Sequence, residues 1–172
     1  MIGLRRDIVK LIPYTAEWER LFEVEKSLLQ LAIDQFVLDI QHVGSTAIPG
    51  MVAKPIIDIG IAVTNFEEAR ICIPPIVQLG YEYRGEYGIP RRHYFVKGDP
   101  RTHHLHMNEI DSRDWENQVL FRDYLIQHSG LAEKYAALKM ELAQQYPADR
   151  EAYQDGKTPF IEQVLDMARS AV

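Results

Sequence analysis

Apolar residues recur along this chain at two spacings, one suited to helices and one to strands. Trp18, Leu21, Phe22, Leu28, Leu29 and Ala32 fall three, four or seven positions apart, which gathers them on one face of a helix. Thr15 is the expected N-cap, and Glu17 and Glu19 stand where the positive end of the helix favours them. Before that helix, Ile8, Leu11 and Ile12 alternate loosely up to Pro13, which predicts a short edge strand or an arm over residues 1–12. Phe36 to Val43 reads as a strand ending at Gly44. Pro55 to Val63, rich in isoleucine, reads as a buried strand.

Glu67 to Leu79 carries a helical pattern that the pair Pro74-Pro75 should break or kink, because proline has no N–H to donate. Tyr81–Tyr87, His93–Val96 and His103–Ile110 follow as three short segments separated by glycines and prolines, the pattern of an antiparallel meander. The last third is helical. Asp111 or Ser112 is the expected cap of a helix carrying Trp115, Val119, Leu120 and Tyr124, with Gly130 as its stop. Leu131, Tyr135, Leu138, Leu142 and Tyr146 define the next apolar face. Thr158 followed by Pro159 predicts a third start, with Phe160, Ile161, Val164, Leu165 and Ala168 as the buried stripe. The fold class is therefore α/β (α+β): a mixed β-sheet with flanking helices in front and a C-terminal helical bundle behind, in one domain over residues 1–172.

Composition narrows the choice of function. The chain is 47% hydrophobic and 26% charged, and no apolar run approaches the ~18 residues of a membrane span. The opening MIGLRRDIVKLIPY lacks the apolar centre of a secretory signal. Cys72 is the single cysteine, which excludes an internal disulfide or a multi-cysteine zinc site. A cytoplasmic location without a membrane partner is the resulting expectation. The net charge of −6 argues against broad nucleic-acid binding. It still permits a local cationic pocket for a small anion. Arg91, Arg92, Lys97 and Arg101 crowd one short region and either supply that pocket or are solvated strand and loop charges.

The chemistry concentrates in His42-Val43-Gly44-Ser45-Thr46-Ala47-Ile48-Pro49-Gly50 and in Lys54-Pro55-Ile56-Ile57-Asp58-Ile59-Gly60-Ile61. A strand that ends in Gly-Ser turns sharply and frees backbone N–H groups beside the Ser45 and Thr46 hydroxyls. Such an array suits phosphate oxygens, and Lys54 adds a point charge; the alternative is a purely structural turn. Asp58 interrupts an otherwise apolar strand. Burying an unpaired carboxylate is costly, so Asp58 requires a metal, a base, a hydrogen-bond donor or an arginine partner. His104 and His106, two apart on a strand, project from one face, whereas His103 faces the other way. His42, just before the turn, is a further candidate for the same place.

The string HVGSTAIPGMVAKPIIDIGIAV resembles the GrpB family of the nucleotidyltransferase-fold superfamily, a domain also found fused to dephospho-CoA kinase. The resemblance spans nearly the whole chain. It includes IVKLIPYTAEWERLFEVEK, the His104-Leu105-His106 strand, FRDYL at 121–125, Lys139 and Lys157-Thr158-Pro159-Phe160-Ile161. It implies a nucleotidyltransferase-like sheet, with Asp58 at a catalytic carboxylate position and a phosphate or nucleotide site drawn from Gly44, Ser45, Thr46, Lys54, Arg92, Lys97, Arg122 and Lys157.

Active members of the superfamily carry two carboxylates two residues apart and hold two Mg²⁺ ions. Gly60 stands at the second of those positions here and brings no ligand. With Asp58 opposite, His104 and His106 make a two-histidine, one-carboxylate set better suited to Zn²⁺, Mn²⁺ or Fe²⁺ than to Mg²⁺. The leading expectation is a domain that binds a nucleotide or another phosphate-bearing ligand, with a divalent metal (Mg, Mn or Zn) as its candidate cofactor. Nucleotidyl transfer, metal-dependent phosphoester hydrolysis, and a non-catalytic sensing or scaffold module remain the alternatives.

Overall fold

The computed structural model describes residues 1–171. Five strands, β1 (Asp39–Val43), β2 (Ile57–Val63), β3 (Tyr81–Tyr83), β4 (His93–Lys97) and β5 (His103–Glu109), form one sheet in the order β1-β2-β5-β4-β3. Only β2 and β5 run parallel; the other pairs are antiparallel. The expected meander is thus β3-β4-β5, and the sheet is mixed. Five helices accompany it: α1 (Glu17–Ile33), α2 (Ile73–Gln78), α3 (Arg113–Gln127), α4 (Ser129–Gln145) and α5 (Arg150–Ser170). None is long and apolar enough to cross a membrane.

The strand period of two assigns a chemistry to each face. Ile57, Ile59, Ile61, Phe95, Leu105 and Met107 join Trp18, Phe22, Leu29 and Ile33 of α1 and Ile76 of α2 in the main core. The opposite face carries Asp58, Gly60, His104 and His106, and α3 packs over β1, β2 and β5 there. A smaller core of Leu125, Tyr135 and Val164 ties α3, α4 and α5 into the C-terminal bundle. Gly156 lets α5 close onto α4, since a Cβ there would lie 2.5 Å from Leu142 Cδ2.

Several boundaries differ from the sequence reading, each for a local reason. The N-terminal arm is not a strand. Gly3, Leu4, Val9 and Ile12 donate to Pro55, Arg101, Pro147 and Ala53 in turn, so the bonds are scattered over three segments and make only isolated bridges, not a ladder. Pro74 and Pro75 start α2 rather than break it, because the first-turn N–H groups need no helical partner. Gly130 lies inside α4; α3 ends at Gln127 and is followed by the C-cap His128, whose Nδ1 bonds the Tyr124 carbonyl (2.8 Å). Pro159 lies inside α5, not at its start. The helix begins at Arg150, where Asp149 Oδ1 accepts the Ala152 N–H (3.0 Å). The loss of one hydrogen bond at an internal proline costs about 3 kcal/mol, and burial of Tyr153 in the upstream turns offsets it.

Candidate functional site

The parallel pairing of β2 with β5 sets Asp58 directly beside His104. Asp58 Oδ1 lies 3.3 Å from His104 Nδ1 and 3.3 Å from His106 Nε2. On the far side, Arg92 Nη1 approaches His106 Nδ1 (3.4 Å), so the Nε2–H of His106 faces the carboxylate. Burial pushes the Asp58 carboxyl upward, but the His104 and His106 hydrogen bonds and charges outweigh it and hold the group well below the usual range. Burial lowers His104, with Asp58 drawing it part of the way back. Neutral His104 then donates Nδ1–H to Asp58. That leaves its Nε2 lone pair buried and unpartnered.

Gly44 explains how the turn approaches this carboxylate so closely. Its φ is +72° with ψ −174°, a conformation that side chains resist. A Cβ there would stand 2.7 Å from Asp58 Oδ2. The Gly44-Ser45 turn therefore forms one wall of the Asp58 pocket.

Lined by this turn, a cleft of about 580 Å³ opens between the sheet and the C-terminal helices. Lys54, Lys139, Lys157 and Arg92 all line it. Lys139, buried at 1% exposure, donates to Ser45 Oγ (2.9 Å) and to the Val52 carbonyl. Lys54 and Lys157 lie over the same Tyr153 ring, at 5.2 and 4.6 Å from its centre. None of the four cations has a carboxylate within salt-bridge distance among the described residues. Burial pushes Lys54 down to about 8 and Lys139 down to about 7, and holds Lys157 well below the ordinary lysine value. Neighbouring cations add to each shift.

Other expected site residues lie elsewhere. Lys97 is on the opposite sheet face, where its Nζ bonds the buried Glu25 (2.7 Å). Arg122 bonds Gln41 Oε1 (2.8 Å), the His42 carbonyl (2.7 Å) and Asp123, clamping α3 to β1 outside the cleft. Neither residue lines the cleft, and each has partners of its own. The Thr46 hydroxyl reaches the cleft wall but bonds His42 Nε2 (2.9 Å). His42 stacks on Phe22, and burial pushes it down to about 4. Arg91 pairs with Glu109, so of the crowded basic residues only Arg92 lines the cleft.

Sequence reasoning gave Lys139 no place in the pocket and passed over Tyr153. Lys139 carried a signal, because positions 135, 139 and 142 share one helical face. A lysine on that apolar stripe needs a reason.

The donor types of Asp58, His104 and His106 suit a transition metal, and in the structure the three are joined by hydrogen bonds. Both imidazoles address a single carboxylate oxygen at hydrogen-bond distance. No group of three or more His, Cys, Asp or Glu side chains among the described residues is disposed to hold a metal ion. At the second carboxylate position, a Gly60 Cβ would meet Gln118 Oε1 at 3.1 Å and Trp115 Cζ3 at 3.2 Å. Helix α3 fills that space. Gly60→Asp is accordingly expected to cost roughly 2 kcal/mol through overpacking and to create no Mg²⁺ site. Urea unfolding and Mg²⁺ calorimetry on the variant check this; tight Mg²⁺ binding by a folded variant would refute it.

Residues 8–167 match the model of the GrpB protein family. The chain belongs to the GrpB family. It is 41% identical over 162 residues to the UPF0157 protein YqkA of Bacillus subtilis, covering 94% of this chain but only 47% of that relative. The chain thus spans about half the length of that protein. More distantly, it is 26% identical to a dephospho-CoA kinase of Mycolicibacterium paratuberculosis, matching 45% of its length. Among solved structures, the conserved protein GrpB from Enterococcus faecalis superposes with a TM-score of 0.87 at 34% identity, covering 92% of this chain and 96% of that one. The mixed sheet, flanking helices and C-terminal bundle are therefore the fold of this family.

Proposed function

We propose that the cleft binds a small phosphate-bearing ligand, a nucleotide or another phosphate ester. The observation that carries this reading is the convergence of Lys54, Arg92, Lys139 and Lys157 on one cavity without a carboxylate partner. Cations crowded together and partly desolvated are unfavourable unless an anion joins them. The Ser45 hydroxyl, already oriented by Lys139, adds a neutral donor. Asp58 with His104 and His106 lines the same cleft as an acid–base set.

Calorimetry with ATP, AMP and inorganic phosphate tests the reading. Lys157→Gln is expected to weaken binding about tenfold, the value of one charge-assisted contact. Asp58→Asn removes the negative charge nearest the ligand. It is expected to tighten anion binding a few-fold while abolishing any turnover, because His104 loses the carboxylate that orients it. Binding that weakens in Asp58→Asn would place the ligand elsewhere. Mg²⁺, Mn²⁺ and Zn²⁺ are titrated alongside, with pyrophosphate release and phosphoester hydrolysis monitored. Binding without either product favours the sensing module over the enzyme.

A further inference from the structure

The geometry points to a site for a diphosphate group in which Lys54, Lys139 and Lys157 supply the neutralising charge that two-metal enzymes obtain from divalent ions. This rests on the phosphate-binding reading above and specifies its ligand. The three ammonium groups come from three separate segments: the loop before β2, α4 and α5. By their neighbours they fall into two groups, which we read as two anion positions. Lys139 sits against Ser45 at the glycine turn, 4.7 Å above the Tyr135 ring. Lys54 and Lys157 sit together over Tyr153. A single phosphate placed at either position would leave the other cationic position uncompensated. Two linked phosphates would satisfy both.

The carboxylate side of the cleft supports the same assignment. Asp58 offers Oδ1 to two imidazoles and turns Oδ2 toward the Gly44 turn. The second carboxylate position is Gly60, closed over by Trp115 and Gln118. Asp114 also lines the cleft, but it accepts a hydrogen bond from Asn108 (3.1 Å). A diphosphate bound here meets ammonium groups where a two-metal site would present ions. Lysine is well suited to that role, as a compact point charge with three donors. The cavity, about 580 Å³, also has room beyond the two phosphates for the group they are attached to.

Calorimetry on the full chain with inorganic pyrophosphate and with orthophosphate, each in EDTA and again in Mg²⁺, tests the assignment. Pyrophosphate is expected to bind in EDTA about tenfold or more tightly than orthophosphate, as one additional charge-assisted contact gives. Lys54→Gln and Lys157→Gln should each bring the two affinities to within about threefold, whereas Lys157→Arg should retain the preference for pyrophosphate. Circular dichroism confirms that each variant is folded. Equal affinity for the two anions would overturn the diphosphate assignment and leave the phosphate reading standing. Pyrophosphate binding that requires Mg²⁺ would overturn the ammonium role alone. Binding of neither anion would remove both.

Discussion

Gly44→Ala is expected to destabilise the protein by about 3 kcal/mol or more, the sum of a strained backbone and an overpacked contact. The new methyl group would lie 2.7 Å from Asp58 Oδ2 and 3.0 Å from its Cβ. The carboxylate cannot retreat without leaving the two imidazoles at 3.3 Å. For a chain of this size that loss corresponds to a melting point lower by roughly 10 °C. Gly50→Ala separates the two causes. Gly50 also has positive φ (+78°), but nothing lies within 4 Å of its Cβ position. Its variant should lose only about 1–2 kcal/mol, the backbone part alone. Urea unfolding of both variants measures the difference; equal losses would show that the approach of the turn to Asp58 is unimportant.

The second large effect concerns pH. Lys139 titrates near 7 in the folded chain and at the ordinary lysine value of 10.5 when unfolded. Between those values the unfolded chain binds more protons, so stability rises with pH. Below about 7 the penalty of the buried ammonium is fully present. Replacement by methionine is expected to remove roughly 2 kcal/mol of the stability gain between about pH 6.5 and about pH 9. Some slope remains, because Lys54 and Lys157 shift in the same direction. The groups facing this cluster are Asp58, His104, His106, Arg92 and Tyr94 from the sheet, Asp114 from α3, Tyr135 from α4, and Tyr153 with Arg150 from α5. Burial raises Tyr94, Tyr135 and Tyr153, so they do not titrate in this window. Urea midpoints of wild type and Lys139→Met across the range provide the check. Parallel curves would mean that Lys139 is not a strained ammonium.

The Asp58, His104 and His106 cluster was legible in the sequence because it depends only on strand period and on the pairing of two adjacent strands. An aspartate among isoleucines and histidines two apart declare their faces without further information. The partners of Lys97 and Arg122 were not legible, since Glu25 and the β1 end lie 72 and about 80 positions away. Tyr153 escaped notice for a different reason. Thr158-Pro159 imitates a helix start, and that reading cuts α5 in two and separates Tyr153 from Lys157, its neighbour one turn later. Lys139 is visible in the sequence as a lysine on an apolar stripe, but its partner Ser45 lies 94 positions away.

The three lysines also bear on how the molecule holds together. Each sits on a different side of the seam where the loop before β2 meets α4 and α5. Without a ligand, like charges push these pieces apart beside Gly156, which lets α5 pack against Leu142 of α4. A bound anion would act as a rivet through all three layers. Amide hydrogens of α5 should then exchange as part of a local opening in the free protein, and only with the whole molecule once the rivet is in place. Occupancy of the cleft would thereby be written into the backbone of a helix whose far end never touches it.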